Sequence, residues 1–153
     1  MHFDGLELQP PANFETEETI LSLRAPPGPS DPRLLQKQIP VRANLIVSRK
    51  RVGPLATLPL LVAEVSAELV STVVGLRGIA NEEIRFADGV VGVIVSFEFP
   101  MREVAAARQF HALRLDDGIF TDLTLTVDGL TLNDSAKKEW LEVLVSARKE
   151  QLR

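Results

Sequence analysis

The sequence contains no cysteine, which excludes disulfides, thiolate metal sites and thiol catalysis. Histidine occurs only at His2 and His111, so acid–base chemistry has few candidate side chains. An export signal has a basic start and an apolar run of about 7–15 residues, and that of a lipoprotein also has a lipidation cysteine. The opening stretch MHFDGLELQPP has none of these features. These absences predict a protein that stays in the cytoplasm.

Long apolar runs are also scarce, and the one candidate for a membrane span is residues 55–74. Glu64 and Glu68 lie near its middle, where each carboxylate would oppose insertion by about 2.5–3.5 kcal/mol. They are four residues apart and therefore share one side of a helix. The run is predicted to be an amphipathic helix of the core.

Length and composition are those of one globular domain spanning residues 1–153. The chain is 45% hydrophobic and 25% charged, and its net charge of −4 comes from acidic and basic residues mixed along its length. Binding to nucleic acid or to an anionic membrane requires a basic face, which this pattern does not provide. Residues 25–40 hold five of the ten prolines and are predicted to be a loop with a short helical turn at 33–38.

Strand patterns and turn dipeptides predict an α+β fold: a single antiparallel sheet of about six to seven strands with two main helices. Asp88-Gly89 and Asp117-Gly118 are hairpin turns. The first helix has Pro59 in its first turn, and Asn133 or Asp134 caps the second. Both helices are expected on one face, leaving the other wholly or partly open. The strand segments are 3–8, 17–24, 41–50, 82–87, 90–99, 104–115 and 119–127.

Three isoleucines break the alternation of their strands. In VRANLIVSR, the alternate residues Ala43, Leu45 and Val47 form an apolar side, yet Ile46 lies among polar residues. Ile20 and Ile94 are interpreted in the same way, which predicts a sparse apolar stripe on the outer face of the sheet. Either the last helix or the proline-rich segment covers this stripe, or it is exposed and binds an apolar partner.

Catalytic and metal-binding patterns are missing. His111 has no ligand-spaced cluster and no candidate nucleophile beside it, so it is interpreted as a strand side chain at a polar face or rim. The Asp-Gly pairs lack the spacing of calcium loops. Gly92, inside a strand, indicates a bulge or close packing. No enzyme activity, metal or cofactor is predicted.

Several short motifs recur along the chain of a known protein family. They are LELQP at 6–10, the strand with Ile20, LIVSR at 45–49, Gln109, LTLT at 123–126, and Leu144, Ser146 and Arg148 in the closing helix. Together they resemble the DcrB-like family, and most closely the Eag chaperones of type VI secretion. The similarity spans nearly the whole chain, although the proline-rich segment is longer than in typical members and the sixth strand has one glutamine rather than two.

This resemblance implies a PsbP-like fold and a homodimer whose sheet holds amino-terminal transmembrane helices of a secreted toxin. The guest-contacting positions of the family fall on Ile20, Ser22 and Ile46. The leading hypothesis is therefore a cytoplasmic chaperone or adaptor that binds apolar helices of a type VI secretion effector. The alternative is a non-catalytic structural or assembly module whose sheet face is a dimer or scaffold interface. The predicted partner-binding residues are Ile20, Ser22, Asn44, Ile46, Ser48 and Ile94.

Overall fold

A computed structural model describes the backbone of residues 2–3, 6–7, 18–24, 41–102 and 105–148, and the side chains of 41–101 and 106–148. The proline-rich segment 25–40 and its predicted helical turn lie outside these residues. The elements in chain order are β1 (His2–Phe3), β2 (Leu6–Glu7), β3 (Glu18–Arg24), β4 (Asn44–Arg51), α1 (Leu58–Thr72), β5 (Arg77–Arg85), β6 (Val91–Arg102), β7 (Ala105–Asp116), β8 (Ile119–Asp128) and α2 (Asp134–Val145).

One open antiparallel sheet organises the described chain. Its six strands follow the order β3-β4-β8-β7-β6-β5, so β3 and β5 are the edges. The predicted class, α+β with an antiparallel sheet and two helices, is confirmed. The sheet has one strand fewer than the seven predicted segments, because β1 and β2 pair only with each other.

Both predicted Asp-Gly hairpins form. Asp117 and Gly118 have φ values of 50° and 72°, the left-handed pair that suits the twist of a two-residue hairpin. Gly89 has a φ of 85° in the β5–β6 turn, where the Phe86 N–H donates to the Val90 carbonyl at 2.9 Å. Because these signals are local, they were readable without any knowledge of the tertiary structure.

Helix α1 is a core helix, as predicted. It has Pro59 in its first turn and ends before Gly75, whose φ is 74°. Leu61 and Val62 pack in one cluster with strand residues that include Val95, Leu113 and Phe120. No helix within the described ranges is both long and apolar enough to cross a membrane.

Helix α2 packs on the opposite face of the sheet, which corrects the expectation that both helices cover one face. Asn133 caps it, since the Asn133 Oδ1 accepts a hydrogen bond from the Ala136 N–H at 2.8 Å. Leu144 is 0% exposed and belongs to the cluster of Phe110 and Leu125. The two surfaces of the sheet are named below the α1 face and the α2 face.

The prediction that Ile94 shares a face with Ile46 is wrong. Ile94 is 4% exposed and packs in the α2-face cluster, whereas its neighbour Val95 packs under α1. Strand β6 is buried on both faces and is therefore apolar at successive positions. The polar residues Ser96 and Glu98, which alternate with Val95, Phe97 and Phe99, therefore do not show that Ile94 lies on an outer face.

Leu144→Ala is expected to lower the free energy of unfolding by about 2–5 kcal/mol, because the lost side chain leaves a cavity between α2 and the sheet. The measurement is urea unfolding followed by circular dichroism. Val143→Ala is the matched control: Val143 is adjacent and 46% exposed, and its truncation should change stability by no more than about 0.5 kcal/mol. Equal losses for both variants would contradict the packing of α2 described above.

Candidate functional site

A set of mostly polar side chains occupies the α1 face beside the area that α1 covers. The register aligns Asn44 of β4 with Thr126 of β8 and Gln109 of β7 in one row. The next row on this face contains Ile46, Thr124 and His111. This surface is named the polar patch, and its members are Asn44, Ile46, Ser48, Gln109, His111, Asp122, Thr124 and Thr126.

Hydrogen bonds fix one half of the polar patch. The His111 Nδ1 lies 2.9 Å from the Asp122 Oδ2, and the Thr124 hydroxyl donates to the Asp122 Oδ1 at 3.0 Å. On the other side of the ring, the His111 Nε2 lies 3.1 Å from the Gln109 Oε1. The Gln109 Nε2 in turn donates to the Thr126 hydroxyl at 2.8 Å. These contacts hold the polar side chains in fixed rotamers.

His111 is a structural member of this network. It is 7% exposed and stacks on Phe97 with ring centroids 5.9 Å apart. Each ring nitrogen already contacts an oxygen, of Asp122 or of Gln109. The prediction that His111 is a strand side chain in polar surroundings is confirmed.

Ile46 is the apolar member of the polar patch. Its neighbours Leu45 and Val47 pack against the α2-face cluster, while Ile46 is half-buried and packs in neither described core cluster. The predicted alternation of this strand is therefore confirmed. An isoleucine outside both cores provides apolar contact area next to hydroxyl and amide groups.

Asn44 has an unsatisfied acceptor at the end of the polar patch. Its Oδ1 is shielded from solvent and accepts no hydrogen bond from the described residues. A shielded acceptor without a donor costs about 1–3 kcal/mol.

The remaining predicted residues fall in two places. In the backbone register, Ser22 of β3 pairs with Ile46 and Ile20 pairs with Ser48, which extends two rows of the polar patch to the sheet edge. The side chains of Ile20 and Ser22 lie outside the described ones. Ile94, on the α2 face, is not part of the patch. Sequence analysis did not assign Thr124, Thr126 or Asp122 to the site, because only the strand register brings them beside β4.

A second surface on the α1 face was not predicted. Two adjoining cavities of about 620 and 600 Å³ run between α1 and β5, and both are lined by Ser66 and Asn81. Val70 and Ile79 are 61% and 40% exposed along this α1–β5 groove. The sequence feature that could have indicated this groove is the series of small residues Ala63, Ser66 and Ala67 on α1, because small side chains leave space beside a helix.

Comparison with known proteins establishes the fold but no family. No protein-family model matches the chain, and no curated protein matches it in sequence. Among solved structures, PA94 from Pseudomonas aeruginosa, a protein of unknown function described as a candidate regulator, superposes with a TM-score of 0.69. The two chains are 15% identical, and the match covers 99% of this chain and 96% of PA94. The two proteins therefore share one architecture over nearly the whole length of each chain.

Asp122→Ala is expected to lower the free energy of unfolding by about 1–3 kcal/mol, because His111 and Thr124 lose a shielded acceptor. Chemical unfolding of Asp122→Ala, His111→Ala and the double variant measures the coupling between the two side chains. Glu139→Ala, an exposed carboxylate on α2, is the control and should change stability by less than about 0.5 kcal/mol. Strictly additive effects of the two substitutions would show that the contact contributes nothing.

Proposed function

We propose that this protein is a non-catalytic, cytoplasmic chaperone or adaptor that shields apolar helices of a type VI secretion effector. The guest helix lies on the polar patch, against Ile46, Asn44 and Ser48 of β4 and the adjoining positions Ile20 and Ser22 of β3. No cofactor or metal is needed. The observation that carries the proposal is the position of Ile46, outside both core clusters and surrounded by hydroxyl and amide groups.

The physical basis is the burial of apolar surface. An apolar helix in water gains about 25 cal/mol for each Å² that a chaperone covers. Its backbone groups are already bonded within the helix, so recognition depends on side chains. Small, apolar and hydroxyl-bearing groups together are what transmembrane helices use to pack against each other. The polar patch offers that mixture through Ile46, Thr124 and Ser48.

The charge distribution of the polar patch also suits an apolar guest. Its one carboxylate, Asp122, already accepts hydrogen bonds from His111 and Thr124. A guest that covers the patch therefore does not leave this carboxylate without hydrogen-bond partners, which would oppose binding strongly.

Ile20→Arg combined with Ile46→Arg is expected to weaken guest binding by at least about tenfold, since two charges replace apolar contacts. The probe is a fluorescent peptide with lysine ends around about 20 leucine, alanine and serine residues, long enough to span a membrane as a helix. Binding is measured by anisotropy, and circular dichroism checks that each variant is folded.

Val143→Arg is the matched control, because Val143 is 46% exposed on α2 and lies away from the polar patch. It should bind the peptide as the wild type does. Failure of the wild-type protein to bind, or full binding by the double variant, would refute the chaperone proposal.

A structural or assembly module remains the second candidate, favoured by one observation about β5. This edge strand has one neighbour, β6, and residues 77–83 are exposed on both of its faces. Long exposed edges invite pairing with another chain. A homodimer through β5 and the α1–β5 groove would cover this edge.

Ile79→Lys is expected to shift such a dimer to monomer, because it places a charge in the α1–β5 groove. Light scattering over a series of protein concentrations measures the change, with Val143→Lys as the control. Peptide binding that survives in a monomeric variant separates the two functions. A wild-type protein that stays monomeric at every concentration would exclude the assembly role.

A further inference from the structure

A small cleft on the α2 face combines three arginines with an apolar wall. Its volume is about 330 Å³, at the lower end of ligand pockets. Arg49, Arg114 and Arg148 line it together with the Thr121 hydroxyl. It lies on the opposite side of the sheet from the polar patch, so its occupant is independent of the proposed chaperone role.

The strand register places two of the arginines around the threonine. Arg49 of β4 pairs with Thr121 of β8, and Thr121 pairs with Arg114 of β7. Neighbouring strands lie about 4.7–4.9 Å apart, so Arg49 and Arg114 flank Thr121, one on each neighbouring strand. Arg148 follows the end of α2 and completes the cleft.

Arg114 is held in place by the fold. It is 6% exposed, its Nη2 lies 2.7 Å from the Asp88 Oδ2, and its Nη1 donates to the Ala147 carbonyl at 3.2 Å. The guanidinium also lies over the Phe86 ring, 4.9 Å from the centroid. These contacts compensate for the burial of the Arg114 charge. They also hold its side chain in one position at the wall of the cleft.

Arg49 and Arg148 differ from Arg114. Both are exposed, and neither makes a hydrogen bond or ion pair with the described part of the chain. An arginine presents several N–H donors in a planar fork that fits a carboxylate through two parallel bonds. Two such side chains at one cleft therefore form an available anion-binding pair.

The charge balance indicates which anion fits. The lining holds three arginines and two aspartates, Asp116 and Asp117, and Asp88 pairs with Arg114 beside the cleft, so these six side chains carry no net charge. A single carboxylate can contact Arg49 and Arg148 while adding only one negative charge near the aspartates, which oppose a doubly charged phosphate more strongly. Val47, Ile119 and Leu123 supply apolar surface in the same cleft.

We infer that this cleft binds a monocarboxylate with an apolar body, its carboxylate between Arg49 and Arg148 and its apolar part against Val47, Ile119 and Leu123. The acid can be a free small molecule or the carboxyl terminus of a peptide ending in an apolar residue. The two sources share one chemistry and differ in how much of the ligand lies outside the cleft.

The test is a titration of the isotope-labelled protein with sodium 4-methylpentanoate, followed by backbone amide shifts in NMR spectra. Saturable shifts are expected at Arg49, Thr121 and Ala147. The neutral amide 4-methylpentanamide and matched sodium chloride should not produce them. A tripeptide ending in leucine distinguishes the sources, because tighter binding than the free acid assigns the cleft to peptide termini.

Arg49→Gln combined with Arg148→Gln should weaken binding by at least about tenfold, because both charge-assisted contacts are removed. Lys137→Gln with Lys138→Gln removes the same charge from α2 and should stay within about twofold of the wild type. The inference is overturned if the acid causes no shifts beyond those of salt. Equal binding of the amide, tighter binding of inorganic phosphate, or unchanged binding by the arginine variant would also overturn it.

Discussion

Burial of strand β7 on both faces is the constraint on which the rest of the structure depends. Leu113 packs under α1, and Phe110 and Ala112 pack under α2. The same alternation directs His111 into the polar patch and Arg114 into the α2-face cleft that Arg49, Arg114 and Arg148 line, named here the arginine cleft. A shift of one residue in this strand would exchange all of these positions, so the two cores and the two surfaces are fixed together.

Gly92 of β6 packs closely against Leu113 of β7 and the Phe86 ring. A Cβ at this position would lie 2.4 Å from the Phe86 ring and 2.5 Å from the Leu113 carbonyl oxygen, so only glycine fits. The space it leaves admits the Phe86 ring, on which the Arg114 guanidinium stacks. Gly92 was predicted to mark a bulge or close packing, and the structure assigns it to close packing.

Local chemistry made part of the fold predictable, and tertiary packing decided the rest. The turns at Gly89 and Gly118 depend on a few neighbouring residues, so the sequence was sufficient to predict them. For the cap of α2 the sequence left Asn133 and Asp134 as alternatives, and the structure assigns Asn133. The first half of β5 was missed because Gly78 and Ala80 interrupt any apolar pattern in an exposed edge. The face of the sheet on which each helix packs depends on its contacts with strands that are distant in sequence, and no local sequence pattern predicts those contacts.

The candidate site was predictable to a similar extent. The side of the sheet on which Ile46 lies was predicted correctly, because β4 packs against a core on one side only and its sequence therefore alternates. Ile94 was misassigned because β6 is covered on both sides. Residues of β8 such as Thr124 join Ile46 only through strand pairing between distant segments, which one sequence does not encode in any short pattern.

Strand β4 links the two proposed binding surfaces. Asn44 and Ile46 belong to the polar patch, while Val47 and Arg49 belong to the arginine cleft on the other face. Ligands on the two surfaces can therefore be bound at the same time without touching. Both surfaces nevertheless rely on one hydrogen-bonded register between β4 and β8, which the packing of Leu45 and Val47 against the α2-face core holds in place.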